Sequence, residues 1–166
     1  MAEGEFALVQ EELESAMALE GQPVKRGTMA HEHIVYMMLA ETAAQMEDKA
    51  AIDQYLQNLV PLVDRDDHRP YRAVAHRARG VSYRIGGEFD LAESSLQQAL
   101  ELFEELDTDW QIGRTYTELA KLDEDRADEK AAYNNYLKAL SYFEKIQALP
   151  DMKRTRAALE SVESAT

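Results

Sequence analysis

The sequence predicts an all-α fold built from repeated helix hairpins. The four prolines and seven glycines of the 166 residues lie almost all between stretches of helical apolar periodicity, where they would begin or end helices. No stretch alternates polar and apolar residues over the length of a strand. The apolar pattern also recurs with a period of about 40 residues, which is typical of helical repeat proteins.

The first four helices are predicted over residues 4–20, 29–46, 48–64 and 69–85. A polar turn, residues 64–68, separates the third helix from the fourth and supplies an N-cap. Pro61 lies in the last turn of the third helix and should kink it. Pro70 lies in the first turn of the fourth helix, where its missing N–H does no harm.

The last four helices are predicted over residues 89–106, 109–124, 129–147 and 151–164. Gly86 and Gly87 separate the fourth helix from the fifth, as helix-ending glycines do. Thr108, followed three residues later by a glutamine, predicts a capping box at the start of the sixth helix. Asp151 directly follows a proline and is the predicted N-cap of the eighth.

Three hairpins become visible when the helices are compared with one another. The fifth helix carries Ala92, Leu96, Ala99, Leu100 and Phe103, and 40 residues later the seventh carries Ala132, Tyr136, Ala139, Leu140 and Phe143. The third helix matches more loosely, through Ala51, Tyr55, Leu59 and Leu62. The helices that precede these three carry a small residue at 40-residue intervals: Ala40, Gly80 and Ala120. The predicted hairpins are residues 29–64, 69–106 and 109–147.

These residues give the chain a resemblance to the tetratricopeptide repeat family. The second hairpin carries the resemblance through Gly80, Tyr83, Gly87, Phe89, Ala92, Leu96, Ala99 and Leu100. The third adds Tyr116, Leu119, Ala120, Ala132, Tyr136, Ala139 and Leu140, and the first adds Tyr36, Leu39, Ala40, Ala51, Tyr55 and Leu59. The period exceeds the family's usual length of about 34 and is similar to the long-helix variety found in bacterial signalling regulators. The resemblance implies a right-handed α-solenoid of antiparallel helix hairpins.

The two ends of the chain match half of a repeat each. The run that begins Gly4-Glu5-Phe6 matches the run that begins at Gly87, so residues 4–20 resemble the second helix of a repeat. Residues 151–164 would be a capping helix or the first helix of a further repeat. We predict one domain over residues 1–166. A half-repeat at the start suggests a piece of a longer protein, and the alternative is that this helix is a natural cap.

Composition excludes several classes of function. The chain has 32 acidic and 18 basic residues and a net charge of −14, which argues against binding to nucleic acid or to an anionic membrane. It has no cysteine, so disulfides and thiolate metal sites are excluded. It also has no basic leader and no apolar run of membrane-spanning length, and we therefore predict a cytoplasmic protein.

No catalytic, metal or cofactor site is predicted. His31 and His33 are two apart, and on a helix such residues point about 200° away from each other, so they cannot easily share an ion. The acidic turn over residues 123–129 lacks the glycine that a calcium loop needs at its sixth place. No nucleophile elbow or triad spacing is present. The sequence therefore predicts a protein that is not an enzyme.

In the tetratricopeptide family, the first helices of successive repeats line a concave groove that binds a segment of a partner. Carried over by position, the groove residues here are Met37, Glu41, Arg77, Val81, Arg84, Arg114, Thr117 and Lys121. Because four of these are basic in a very acidic chain, they favour an acidic or amphipathic peptide. The alternative is that the arginines pair with neighbouring acids of the same chain.

The leading functional hypothesis is a non-catalytic protein–protein interaction module that binds a partner segment in this groove. A second is a sensor or regulatory domain of a larger bacterial regulator, which would hold a signal peptide or small ligand. A third is self-association into a homo-oligomer through the terminal helices, for example through Phe6, Leu13 and Met17.

Overall fold

The computed structural model describes residues 3–18 and 32–165. Within these two ranges the chain forms eight helices and no strand, so the predicted all-α class is confirmed. Helices that are consecutive along the chain pack against each other in pairs, which makes the molecule a helical repeat solenoid. In the described ranges, no helix combines the length and the apolar character that crossing a membrane requires.

The helix bounds lie close to those that the sequence predicts. The helices are α1 (Glu3–Ala18), α2 (Glu32–Gln45), α3 (Lys49–Arg65), α4 (Arg69–Ile85), α5 (Phe89–Glu105), α6 (Asp109–Asp125), α7 (Glu129–Lys145) and α8 (Leu149–Ala165). The predicted helical residues 19–20 and 29–31 lie outside the described residues. Every other bound differs from its prediction by two residues at most.

The turns that connect α2 to α8 share one geometry. A residue with positive φ occurs at every twentieth position: Glu47, Asp67, Gly87, Asp107, Ala127 and Gln147. In each turn the next amide reaches back to a carbonyl five residues earlier, as from Glu88 N to Tyr83 O at 2.9 Å, which is the Schellman arrangement. The helices from α3 to α8 each have 17 residues. The hairpin of about 40 residues therefore consists of two equal halves.

Two predicted caps are wrong. The Thr108 hydroxyl bonds the Phe103 carbonyl at 3.1 Å and forms no capping bond to α6, so the capping box does not form. Asp151 lies within the first turn of α8 and is not its N-cap. Asp48 and Asp128 do cap their helices, because each accepts a bond from the amide three residues later, at 3.0 and 2.9 Å.

The core is a row of interfaces between neighbouring helices. Buried residues form three clusters, centred on α2 to α4, on α4 to α6 and on α6 to α8. α4 and α5 approach each other closely, since a Cβ built on Gly80 would lie 2.6 Å from Leu96 Cγ. Ala40 and Ala120 occupy the same position in the neighbouring hairpins and are fully buried. Small residues at this position thus let each hairpin close.

The packing separates an inner from an outer set of helices. α2 contacts α4, and α4 contacts α6, so these three helices lie side by side, and α3, α5 and α7 pack against them. The start of α8 joins the same row, since Trp110 of α6 donates a hydrogen bond to Asp151 of α8 at 3.2 Å. We call the surface formed by α2, α4, α6 and the start of α8 the inner face.

Candidate binding groove on the inner face

Three helices of the inner face meet at one carboxylate. Glu41 of α2 accepts from Arg77 of α4 at 2.7 Å through one oxygen, and it pairs with Arg114 of α6 at 2.5 Å through the other. We call these three residues the Glu41 cluster. It connects helices that are separated by more than 70 positions in the sequence, which no pattern of local spacing could reveal.

The Arg77 guanidinium is held from several sides. Arg77 is 2% exposed, and it also donates to the Gln111 carbonyl at 3.2 Å. The central carbon of its guanidinium, Cζ, lies 5.0 Å from the centre of the Phe103 ring, a distance at which a cation is attracted to an aromatic face. These contacts leave Arg77 little freedom to reach a ligand.

Burial and charge act in opposite directions on Glu41. Burial by itself would raise the pKa of the Glu41 carboxyl, but the charges and hydrogen bonds of Arg77 and Arg114 outweigh it. The net result is a pKa lowered from 4.5 to about 2. Glu41 is therefore ionised at neutral pH and holds both arginines.

A second group of charges lies toward the other edge of the inner face. Arg84, 8% exposed, bonds to Glu47 at 2.6 Å and to Asp125 at 2.8 Å, while Lys121 lies 3.3 Å from both Glu47 and Glu118. We call these five residues the Glu47 cluster. The negative charge of Glu118 raises the pKa of the Lys121 amine. Each of these five side chains therefore pairs with an oppositely charged residue of the same chain.

The two clusters differ in net charge. The Glu41 cluster has two arginines and one carboxylate, which gives +1. The Glu47 cluster has two cations and three carboxylates, which gives −1. The two clusters therefore carry opposite net charges, within a chain whose total charge is −14.

A cavity of about 400 Å³ opens beside the Glu41 cluster, between α1, α2, α6 and α8. This volume lies within the range of roughly 300–1,000 Å³ that is common for ligand sites. We call it the Trp110 cavity. It is lined by Phe6, Val9, Met37, Met38, Glu41, Thr42, Gln45, Trp110, Arg114 and Arg154.

The wall of the Trp110 cavity combines exposed apolar side chains with guanidinium groups. Met38 is 40% exposed and Trp110 is 42% exposed. The Arg114 guanidinium stacks over the Trp110 ring at 4.8 Å. Arg154 bonds to Asp151 at 2.6 Å, and its side chain is 62% exposed. An apolar group could therefore be covered here while a charged neighbour stays within reach of an arginine.

The predicted groove residues fall into two sets. Met37, Glu41 and Arg114 line the Trp110 cavity, and Thr117 and Lys121 line an adjoining cavity of about 210 Å³ that also contacts Arg114. Arg77, Arg84 and Val81 are buried, with Val81 1% exposed in the core. All four predicted basic residues pair with acids of the chain itself, which is the alternative that the sequence left open.

Several residues of the Trp110 cavity were not among the groove residues predicted from the repeat positions. Trp110 is the chain's one tryptophan and opens a helix, which was a signal that could have singled it out. Arg154 lies on α8, which no hairpin prediction assigned to the groove. Phe6, predicted as a self-association residue, lines the cavity, and Leu13 packs against the first core cluster. The Met17 side chain lies outside the described residues.

His33, one of the two histidines that the sequence places two positions apart, contacts an acidic residue of the chain. His33 is buried and lies 2.6 Å from Asp66 through Nε2, and His31 lies outside the described residues. In the part of the chain that the structure describes, no group of three or more His, Asp or Glu side chains is placed to hold a metal ion.

Comparison with known proteins relates this chain to others by fold. No family model matches the sequence, and no curated protein matches it. Among solved structures, the crystal structure of BtubC (BKLC) from P. vanneervenii is similar, with a TM-score of 0.56 and 15% sequence identity. The match covers 98% of this chain and 75% of that chain. At this identity the likeness shows a shared helical fold.

Proposed function

We propose that this protein is a non-catalytic interaction module that binds a segment of a partner protein on its inner face. The observation that carries the proposal is the Trp110 cavity, where exposed Met38 and Trp110 stand beside Arg114 and Arg154. Tryptophan and arginine are enriched among the residues that dominate protein interfaces, because they pair large contact area with directed hydrogen bonds. An interaction site therefore explains why these apolar side chains are left uncovered.

Membership of the tetratricopeptide family is part of the same proposal. Its support is the hairpin of 40 residues with a small residue at positions 40, 80 and 120, and the closeness of α4 to α5 at Gly80. Since a fold alone does not specify a function, the cavity and not the family carries the proposal.

The proposal can be tested by selecting binding peptides from a phage-displayed library of random 12-residue sequences. Because the chain has one tryptophan and it lies in the cavity wall, the fluorescence of Trp110 reports directly on occupation of the site. We expect selected peptides to shift this fluorescence saturably. The change Met38→Glu should weaken their binding by about ten-fold or more, because it places a charge in the apolar wall.

Leu137→Glu is the matched control. Leu137 is 43% exposed, much like Met38, but it lies on the outer helix α7. This variant should bind the selected peptides as the unchanged protein does. If no peptide is enriched, or if the two variants bind equally well, the inner face is not the interaction site.

A further inference from the structure

We infer that the partner segment carries a bulky apolar side chain next to a carboxylate, and that the carboxylate is received by Arg154. This inference rests on the proposed function and specifies the chemistry of the partner. The apolar side chain would lie against Met38 and Trp110, and the carboxylate would lie at the edge of the cavity formed by the start of α8.

The apolar half of the site is defined by what the cavity leaves uncovered. Phe6, Val9, Met37, Met38 and Trp110 supply its apolar surface, and they come from three different helices. Transfer of apolar surface from water into such a site is favourable by roughly 25 cal/mol per Å². A polar segment would forfeit this gain and leave Met38 and Trp110 as exposed as they are now.

The charged half of the site follows from the number of charges in the wall. Two guanidiniums, those of Arg114 and Arg154, line the cavity with one carboxylate, that of Glu41. Glu41 pairs with Arg77 and Arg114, and Asp151 pairs with Arg154, so three guanidiniums face two carboxylates and one positive charge remains. A lysine or arginine of a partner would meet like charge here, whereas a carboxylate would meet opposite charge.

Arg154 is the arginine that can reach a ligand. The Arg114 side chain is 13% exposed and stacked on Trp110, while the Arg154 side chain is 62% exposed. Its bond to Asp151 uses one nitrogen of a group that has five N–H donors in a fork suited to carboxylates. Arg154 can therefore donate hydrogen bonds to a second carboxylate without giving up the bond to Asp151.

The chain offers a matched pair of variants to test this. Arg154 and Arg156 are both exposed arginines on α8, each paired with one acid, but only Arg154 lines the cavity. With peptides selected from the random library, we expect acidic residues beside bulky apolar ones to be enriched. Arg154→Glu should weaken these peptides by about ten-fold, and Arg156→Glu by less than about two-fold.

A charge exchange completes the test. Peptides in which lysine replaces the enriched acid should bind Arg154→Glu more tightly than they bind the unchanged protein. The inference is overturned if the enriched peptides are neutral or basic, if Arg156→Glu weakens binding as much as Arg154→Glu, or if the exchange restores nothing. Peptides that shift Trp110 fluorescence but show one of these results would leave the proposed function intact and remove only the assigned chemistry.

Discussion

At the scale of single residues, the turns show how a fixed geometry tolerates different side chains. Five of the six positive-φ positions between α2 and α8 hold residues other than glycine, with φ from 47° to 57°. An L-residue in the left-handed region costs roughly 1–2 kcal/mol, which glycine avoids. Only at Gly87 does a glycine indicate the positive φ in the sequence. The pattern of one such turn every 20 residues is therefore seen in the structure but not in the sequence.

The turn at Ala127 gives a prediction of increased stability. Ala127 has φ 57°, and Ala127→Gly should raise the free energy of unfolding by about 0.5–1 kcal/mol because it removes the strain of the left-handed conformation. Urea denaturation measures the change. Ala157→Gly, the same replacement at an exposed position within α8, should lower the free energy by about 1 kcal/mol. Destabilisation by both variants would contradict the assigned turn geometry.

Gly80 gives a prediction of the opposite sign. A methyl group at Gly80 would lie 2.6 Å from Leu96 Cγ and 3.2 Å from the Ala92 carbonyl oxygen. Gly80→Ala should therefore force α4 and α5 apart and lower the free energy of unfolding by about 1–3 kcal/mol. Gly86→Ala, whose nearest contact would be the end of the Lys49 side chain at 3.2 Å, serves as the control in thermal denaturation. Equal loss at both positions would show that close approach is not the cause.

At the scale of helices, the inner face is held together by ion pairs as well as by apolar contact. Glu41 connects α2 to both α4 and α6, and Glu47 connects the end of α2 to Arg84 and Lys121. Since the pairs join alternate helices, they fix how closely successive hairpins stack. They also explain why the arginines of the inner face are not available as a group to a partner.

Removal of the central carboxylate should be costly. Glu41→Gln keeps the size of the side chain but leaves Arg77 and Arg114 with a neutral partner, so we expect a loss of about 3–5 kcal/mol, which urea denaturation would detect. Glu144→Gln breaks an exposed pair with Arg156 and should cost less than about 1 kcal/mol. If the two variants are equally stable, the Glu41 cluster contributes no more than a surface pair.

The same cluster predicts a dependence on pH. The pKa of Glu41 is about 2 in the folded protein against 4.5 unperturbed, so its ionisation favours folding by about 3 kcal/mol at neutral pH. Because the folded pKa is the lower one, this stabilisation is complete above pH 4.5 and is lost as the pH falls toward 2. The stability difference between the unchanged protein and Glu41→Gln should therefore shrink over this interval in acid. A constant difference would contradict the lowered pKa.

The last helix departs from the pattern of the inner helices. The position that holds Ala40, Gly80 and Ala120 is occupied in α8 by Glu160, which is exposed. The small residues Ala40, Gly80 and Ala120 let an outer helix approach closely, whereas a side chain as long as that of Glu160 would obstruct such an approach. On its other side α8 buries Leu159 and Val162 against the third core cluster. Apart from Leu149, which is 69% exposed, and Pro150, the exposed residues of α8 are thus mostly polar.

At the scale of the whole molecule, contacts are made between neighbours along the row of helices. α4 packs on α3, α5, α2 and α6, whereas α1 packs on α2 and α8 on α7. Stability in such an array is the sum of neighbouring interfaces and is lowest where a helix has neighbours on one side.

Amide hydrogen exchange should show this gradient. We expect slow exchange in α4 to α6 and faster exchange in α1 and α8, because terminal helices can open without breaking the rest of the array. Mass spectrometry of peptides after timed labelling measures it. Equal protection in all helices would indicate that the protein unfolds as one cooperative unit.

Much of the fold could be predicted from local patterns. Apolar periodicity and the prolines and glycines located eight helices, and Gly87 located one turn correctly. Thr108 shows where such reasoning fails, because its hydroxyl can bond either to an amide of α6 or to the Phe103 carbonyl. In the structure it donates to the Phe103 carbonyl. The positions of the helices could be predicted because helix formation depends on residues that are close in the sequence.

The candidate site could be predicted only in part. Met37, Glu41 and Arg114 were located by their position in the repeat, but Arg154 and Phe6 come from helices outside the three predicted hairpins. The sequence by itself determined the helices, the period and the small residues that close each hairpin, because these depend on spacing along one chain. Only the tertiary structure decided which charges are neutralised and which remain. Glu41, Arg77 and Arg114 meet across three helices, and the strength of an ion pair depends on distance and burial in space.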